Sequence, residues 1–286
     1  MIIGQNREKV IENIKNAVES GDFYAKTEMD DPVLTAEREN EITANYMKKC
    51  NSFGYKFKRF FARIIASALT KSINRDTEIV GIEKLRNIYG GAFITSNHFS
   101  PLENTCIRHL AKKTGKRHIS IVSQVTNFAM TGFIGFFMNY ADTVPISHDS
   151  HYVNRTLTEI LTDLVNKGEY VLIYPEQEMW FNYRKPRPFK RGAYFYAAKA
   201  MKPVISCFVE QIDLPEAENE QFYKVKYRVH VLDVIYPDAE KSVRENSFYM
   251  VERDEQLKRE AYEKAYNKPL DYAFENSDIA GWRYEK

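Results

Sequence analysis

The sequence predicts an α/β domain whose central sheet is mostly parallel or mixed and flanked by helices, with further helices in front of it. Three observations lead there. From about Glu78 onward, short apolar runs alternate with longer stretches of helical periodicity, the pattern of strands joined by helical crossovers. Before Glu78 only helical patterns occur. With 286 residues, 44% of them hydrophobic, the chain can bury the core of one large domain, or of one domain with a helical appendage. The expected division is 1–76 for the helical region and 77–286 for the α/β part, which ends in a C-terminal helix.

In chain order, Val10, Ile11, Ile14 and Val18 recur at helical spacing, and this first helix should end near Gly21. A loop follows at Asp30-Asp31-Pro32, where the proline disfavours helix in the residue before it. A second helix is expected from about Thr35 to Lys49, then a break at Asn51-Ser52-Phe53-Gly54. In the next segment Phe57, Phe60, Phe61, Ile64, Ile65, Ala68 and Leu69 recur at helical spacing among Lys58, Arg59 and Arg63. Such a helix either packs on the core or lies on a membrane with its basic residues near lipid phosphates, and different parts of one face can do each. Strands are expected at Ala92–Thr95, His118–Val122, Thr143–Ile146, Tyr170–Tyr174, Val204–Val209 and Lys224–Ile235. Helices fit Leu102–Lys113, Asn154–Asn166, Gly192–Ala200 and Ser247–Tyr266.

A net charge of only +2 gives no global field to attract nucleic acid. The distribution is more telling. Residues 42–75 hold eight Lys or Arg and no acid, and residues 179–209 hold seven, again with no acid. Two such blocks suit phosphate-bearing partners or an anionic membrane surface. Cys50, Cys106 and Cys207 are widely spaced, in no metal or redox pattern, which fits a reducing cytoplasm. The N-terminus lacks a signal-peptide layout, and no window reaches the ~20 apolar residues that span a bilayer. A cytoplasmic protein, peripheral to the membrane face, is therefore expected.

The segment from Ala92 to Asn104 reads as a strand that ends at Ser96-Asn97-His98 and turns into a helix near Pro101. Functional residues of parallel sheets gather just past strand C-termini, where His98 falls. A hydroxyl is a poor nucleophile at neutral pH, and an imidazole is suited to remove its proton in the transition state. A carboxylate can fix the tautomer of that imidazole, and Glu103 stands five residues on. On spacing alone, a helix cap explains Glu103 better: Ser100 as N-cap, Pro101 at the first helical position and Glu103 at N3 form a capping box. The two roles need not exclude each other.

Asn97-His98, four residues, then Glu103 resembles the NH-x4-D motif of the glycerolipid (lysophospholipid) acyltransferase family, whose best-known members acylate lysophosphatidic acid. Further elements follow in the family's order across residues 78–210. Tyr174-Pro175-Glu176-Gln177-Glu178-Met179-Trp180 resembles FPEGTRS, Pro188-Phe189-Lys190-Arg191-Gly192-Ala193 resembles PFKKGA, and Lys202-Pro203-Val204-Ile205 resembles the Pro-bearing strand that closes the pattern. The resemblance implies that His98 acts as base on the acceptor hydroxyl and that Glu103 orients it, with no covalent acyl-enzyme. It implies acceptor binding by Glu176, a basic pair at Lys190 and Arg191 for a lipid or carrier phosphate, and a close turn at Gly192. No metal or cofactor is implied; acyl-CoA or acyl carrier protein enters as the donor substrate. This chain departs from the family in the longer Glu103 and in EQEMW where EGTR-like residues are usual. The family's intermediate Arg-bearing motif is matched only loosely by 141–155, with Val144-Pro145-Ile146-Ser147 in its place and Arg155 as a distant substitute.

The expected partners are a lysophospholipid-like acceptor, an acyl thioester (with acyl carrier protein as one form of it) and a membrane surface, and no nucleic acid. The alternatives are acylation of a glycolipid or aminolipid, and a peripheral lipid-binding protein that has lost catalysis. Arg184, Lys185 and Arg187 read as a phosphate contact or as a solvated basic loop. His148, Asp149 and His151 read as a metal site or a polar loop, and the absence of a third cluster favours the loop; His109 and His118 read as structural or surface residues. Phe128–Ala141 reads as core or as the lining of an acyl groove.

Overall fold

The computed structural model describes residues 6–29 and 32–284. The predicted loop at Asp30-Asp31 and the reading of the first five residues lie outside them. Eight α-helices and seven strands make up the described part: α1 Arg7–Ser20, α2 Ala36–Lys49, α3 Phe53–Ile73, β1 Glu78–Val80, β2 Ala92–Thr95, α4 Asn104–Lys113, β3 Ile119–Gln124, α5 Gly132–Tyr140, β4 Thr143–Ile146, α6 Thr158–Asn166, β5 Tyr170–Ile173, α7 Gly192–Ala200, β6 Val204–Ala217, β7 Tyr223–Ile235 and α8 Val243–Tyr266. The strands form one sheet in the order β1-β7-β6-β2-β5-β3-β4. All neighbours are parallel except β6 and β7, which pair antiparallel.

Both faces of the sheet are covered, which is why its strands read as continuous apolar runs. In β2 and β5 the side chains alternate between two cores. Phe93, Val171 and Ile173 join Leu161, Tyr194, Ala197 and Met250 on the side of α6, α7 and α8. Ala92, Ile94, Tyr170 and Leu172 join Cys106, Ile107 and Leu110 of α4 on the other. A buried ion pair ties α8 to the sheet: Lys258 Nζ stands 2.6 Å from Asp254 Oδ1, and neither side chain is exposed. Asp254 also accepts from Thr95 Oγ1 at 2.6 Å, from Tyr194 OH at 2.5 Å and from Ser206. With its lone pairs satisfied, the pair escapes much of the penalty of charge burial and fixes β2, β6 and α7 to one helix.

The N-terminal helices pack on this frame. Val10, Ile11, Ile14, Ala17 and Val18 of α1 form a third core with Trp180, Phe181, Tyr183, Phe222 and Ile279. The predicted break before the third helix is its N-terminus: Ser52 accepts from Tyr55 N, and α3 starts at Phe53 instead of Phe57. The inner face of α3 is made of small residues, Ala62, Ala66 and Thr70, against α4. Its large apolar residues Phe53, Phe57, Phe60, Phe61 and Ile64 face outward and are exposed. Packing on the core thus accounts for the small residues of α3, and not for its aromatic ones. No helix among the described residues is long and apolar enough to cross a membrane.

Other differences from the sequence reading have local causes. β1 is short and largely exposed, so it lacked an apolar signature. α5 lies in the Phe- and Met-rich stretch read as core or groove, yet only Gly135 of it is buried, and Phe133 and Ile134 are exposed. β6 continues to Ala217, well past Val209, because its outer half is an alternating, partly exposed ribbon against β7.

Candidate active site

The parallel register sets the position of the site. Thr95, the last residue of β2, lies opposite Ile173, the last of β5. The three residues that follow each strand, ending at His98 and at Glu176, therefore leave the sheet side by side. On the other flank, Thr95 lies opposite Ser206 of β6, which runs on beyond the edge. Asn97 uses that overhang. Its side-chain amide donates to Val209 O at 3.0 Å and its carbonyl accepts from Val209 N at 2.8 Å, so a side chain extends the ladder after the β2 backbone has turned away. Asn97 thus anchors the turn that presents His98, a role that its motif position alone did not reveal.

His98 Nδ1 lies 2.7 Å from Glu103 Oε1, and their side chains are 20% and 2% exposed. The other carboxylate oxygen, Oε2, accepts from Ser100 N. Capping and orientation therefore coexist, one on each oxygen. The predicted box is only partly formed: Ser100 Oγ accepts from Leu102 N at 3.3 Å, and the regular helix begins at Asn104, two residues later than the predicted Leu102. A carboxylate in its ionised form can only accept, which calls for Nδ1–H between the two and, in a neutral ring, leaves the lone pair on Nε2. The Tyr174 ring stacks on the imidazole at 4.1 Å and 8°, closing one face. Burial and the nearby Glu103 carboxylate push the Tyr174 phenol well above its ordinary value, so it stays neutral.

The backbone of His98 is held as firmly as its ring. Its carbonyl accepts from Trp180 N at 3.1 Å, and Phe99 O accepts from Asn182 N at 2.8 Å. Its N–H donates to Glu176 Oε2 at 3.4 Å. Glu176 is 2% exposed, and the same oxygen accepts from Arg187 Nη2 at 3.0 Å and Nε at 3.2 Å. Glu176 thus stands behind the site, where it braces the His98 loop against Arg187. Burial pushes its carboxyl above the usual range, although Arg187 and His98 pull it down. Arg187 is 1% exposed, lies over the Trp180 ring at 4.5 Å and donates to Phe23 O at 2.9 Å and to Glu178 O.

This corrects the reading of Arg184, Lys185 and Arg187 as a phosphate contact or a solvated loop. Lys185 is also 1% exposed, with Asp278 at 2.9 Å, and Arg184 reaches Asp213 at 2.5 Å. All three are tied inward. The missing Gly of the Glu176 motif is replaced without loss of the turn: Gln177 holds φ at 65°, in the left-handed region that favours glycine.

Lys190 and Arg191 are exposed beside the site and diverge. Lys190 N donates to Pro175 O at 2.8 Å while its ammonium lies 3.6 Å from the Tyr24 ring centroid. The guanidinium of Arg191 lies over Phe248 of α8 at 4.4 Å. Gly192 opens α7, is exposed, and a Cβ there would meet nothing within 4 Å. The close turn expected there does not exist, because the backbone arrives without a left-handed residue. Among residues that sequence reasoning missed, Gln124 at the end of β3 donates to Glu178 Oε1 at 2.7 Å, in the loop whose Trp180 N–H holds the His98 carbonyl. His148 pairs instead with Glu39 of α2, at 2.9 Å, and Asp149 accepts from the backbone N–H groups of His151 and Tyr152.

Removing one partner of a buried ion pair costs roughly 3–5 kcal/mol, whereas replacing both by apolar or neutral groups costs far less. Arg187→Met should therefore destabilise the protein more than the double variant Glu176→Gln/Arg187→Met, as read from urea denaturation midpoints. A double variant at least as unstable as the single would show that the pair is not coupled.

Residues 76–210 match the family model described as Acyltransferase. The fold is similar to the crystal structure of the 1-acyl-sn-glycerophosphate (LPA) acyltransferase PlsC from Thermotoga maritima, with a TM-score of 0.53 and 15% identity, covering 82% of this chain and 97% of that one. Comparison with curated proteins finds no match. The matched segment, just under half of the chain, contains β2, the His98–Glu103 pair and the Tyr174–Trp180 loop.

Proposed function

We propose that the chain is an O-acyltransferase that moves a fatty acyl group from acyl-CoA or an acyl carrier protein to the hydroxyl of a lysophospholipid-like acceptor, with His98 as the general base. The observation that carries this reading is the 2.7 Å contact of His98 Nδ1 with a carboxylate that is itself fixed by a backbone N–H. With Nδ1–H held by Glu103, the Nε2 lone pair takes the hydroxyl proton as the oxygen attacks the thioester carbonyl. The C–S bond then breaks, and the departing thiolate takes that proton from Nε2. Glu103 stabilises the imidazolium that forms in between. Asn97, Glu176 and Arg187 act through backbone position rather than on the substrate. The exposed ammonium of Lys190, whose backbone rests on Pro175, is the cation best placed for a phosphate of donor or acceptor.

The outward aromatic residues of α3, with Phe133 and Ile134 of the neighbouring α5, support a membrane-surface role at which a lipid acceptor is met. A second reading keeps the chemistry and changes the acceptor to a glycolipid or aminolipid. It is favoured by Glu178, a carboxylate in the motif that usually carries a phosphate-facing Arg.

His98→Ala should reduce thioester consumption by about 10²–10⁴-fold with every acceptor while leaving the fold intact. Undiminished turnover in the purified variant would end the mechanism. In the same assay, a clear preference of wild type for lysophosphatidate over glycolipid and aminolipid acceptors would remove the second reading. Phe57→Ser/Phe60→Ser should weaken sedimentation with phospholipid vesicles. Equal sedimentation would exclude a membrane role for this face.

A further inference from the structure

The site described above occupies the edge where β2 and β5 end. The opposite edge carries a small, solvent-open cleft of about 80 Å³ between α3, α4 and the turn that enters β3. Ile119, which lines it and opens β3, is level with Tyr170 and through it with Ala92, the first residue of β2. The length of β2, roughly 10 Å at ~3.3 Å per residue, therefore lies between this level and the loop that carries His98.

The cleft is lined by Arg63, Arg108, Lys112, Lys116, Arg117 and His118, and by no acid. One carboxylate stands behind it. Asp142 pairs with Arg63 at 2.6 Å and with Arg108 at 4.0 Å, so a single negative charge serves two guanidinium groups. The other cations are compensated by no carboxylate within ion-pair distance among the described residues. Lys112 Nζ donates to Ser67 Oγ at 2.6 Å, and Lys116 Nζ to the carbonyls of Gly90 and Gly168 at 3.0 and 2.7 Å. Burial, and then the charge of Arg108, hold the Lys112 ammonium below its ordinary value; burial and Arg63 do the same to the His118 imidazole. Positive groups gathered around a single carboxylate carry a repulsion that a bound anion relieves. Fixed guanidinium and ammonium donors around a pocket match the oxygens of a phosphate.

We propose that this cleft is a binding site for a phosphate group, separate from the acyl-transfer site, with Lys112 and Arg117 as its free cationic contacts. Two sources of phosphate fit. Phe60 and Ile64, exposed on α3, lie one helical turn from Arg63 and Ser67 of the cleft wall, so a headgroup of an anionic phospholipid can enter while its chains meet the aromatic face. A soluble phosphate compound is the other source.

The test uses the full chain and the variant Lys112→Ala/Arg117→Ala, both positions being exposed and outside the catalytic loop. One arm compares sedimentation with vesicles of phosphatidylcholine and of phosphatidylcholine mixed with phosphatidylglycerol. The other follows thermal unfolding and the His118 ring resonances as inorganic phosphate is added at constant ionic strength. Wild type should prefer the anionic vesicles, and the variant should lose roughly tenfold in that preference, if a headgroup is the source. Phosphate should raise the Tm and shift His118 in wild type and not in the variant, if a soluble compound is the source. Either result supports the site. The proposal is overturned if wild type responds in neither arm, or if the variant responds as wild type does in both. Should the variant fold poorly, Lys112→Gln/Arg117→Gln and the His118 shifts of wild type alone give the same decision.

Discussion

Glu103 has two carboxylate oxygens and holds a different partner with each, His98 Nδ1 on one and Ser100 N on the other. Much of the site follows from that division. The backbone contact fixes the carboxylate in the first turn before α4, and the fixed carboxylate then fixes the ring. A glutamate in place of the shorter aspartate spans five residues of chain here because the turn at Ser100-Pro101-Leu102 brings its backbone round beside His98. A longer side chain loses more rotamer freedom when it is held, and the second oxygen's hydrogen bond to a backbone that is already rigid offsets that cost.

The dyad would be of little use on a mobile loop. Three fastenings keep it in place: the Asn97 amide on the β6 backbone, the Trp180 and Asn182 N–H groups on the carbonyls of His98 and Phe99, and Glu176 on the N–H of His98. The first draws on β6 and the other two on the loop after β5, where Arg187 touches both Glu176 and Trp180. Glu176 depends on Arg187, Arg187 reaches Phe23 just after α1, and Trp180 is buried in the core that α1 and the C-terminal segment complete. The N-terminal helix is therefore mechanically part of the active-site support.

The strands with strong apolar runs were legible, and Ala92–Thr95 and Thr143–Ile146 have the boundaries their sequences indicate. The contact of His98 with Glu103 was legible only in part: the spacing alone favoured a cap, and the resemblance to the NH-x4-D motif supplied the pairing. Arg187 was not legible. A basic residue flanked by Pro186 and Pro188 resembles any solvated loop, and only the path of the β5–α7 connection turns it back under Glu176, which leaves β5 earlier in the same loop. The orientation of α3 was equally hidden. Its periodicity marks a helix, but the face turned inward is the one of Ala and Thr, because small side chains let α3 approach α4 closely, and the aromatic face is left outside. Periodicity reveals that a face exists, and packing decides which face is buried. The basic cleft was hidden for the same reason, since Arg63, Lys112 and Arg117 belong to three different segments.

The central claim is that Glu103 holds His98 with its proton on Nδ1 and its lone pair on Nε2. The ¹⁵N chemical shifts of the His98 imidazole at neutral to mildly alkaline pH measure this directly. The account predicts the Nδ1–H tautomer in wild type and its loss to a mixture in Glu103→Ala. A neutral wild-type ring protonated on Nε2 would contradict it, because the nitrogen proposed to take the acceptor's proton would already carry one.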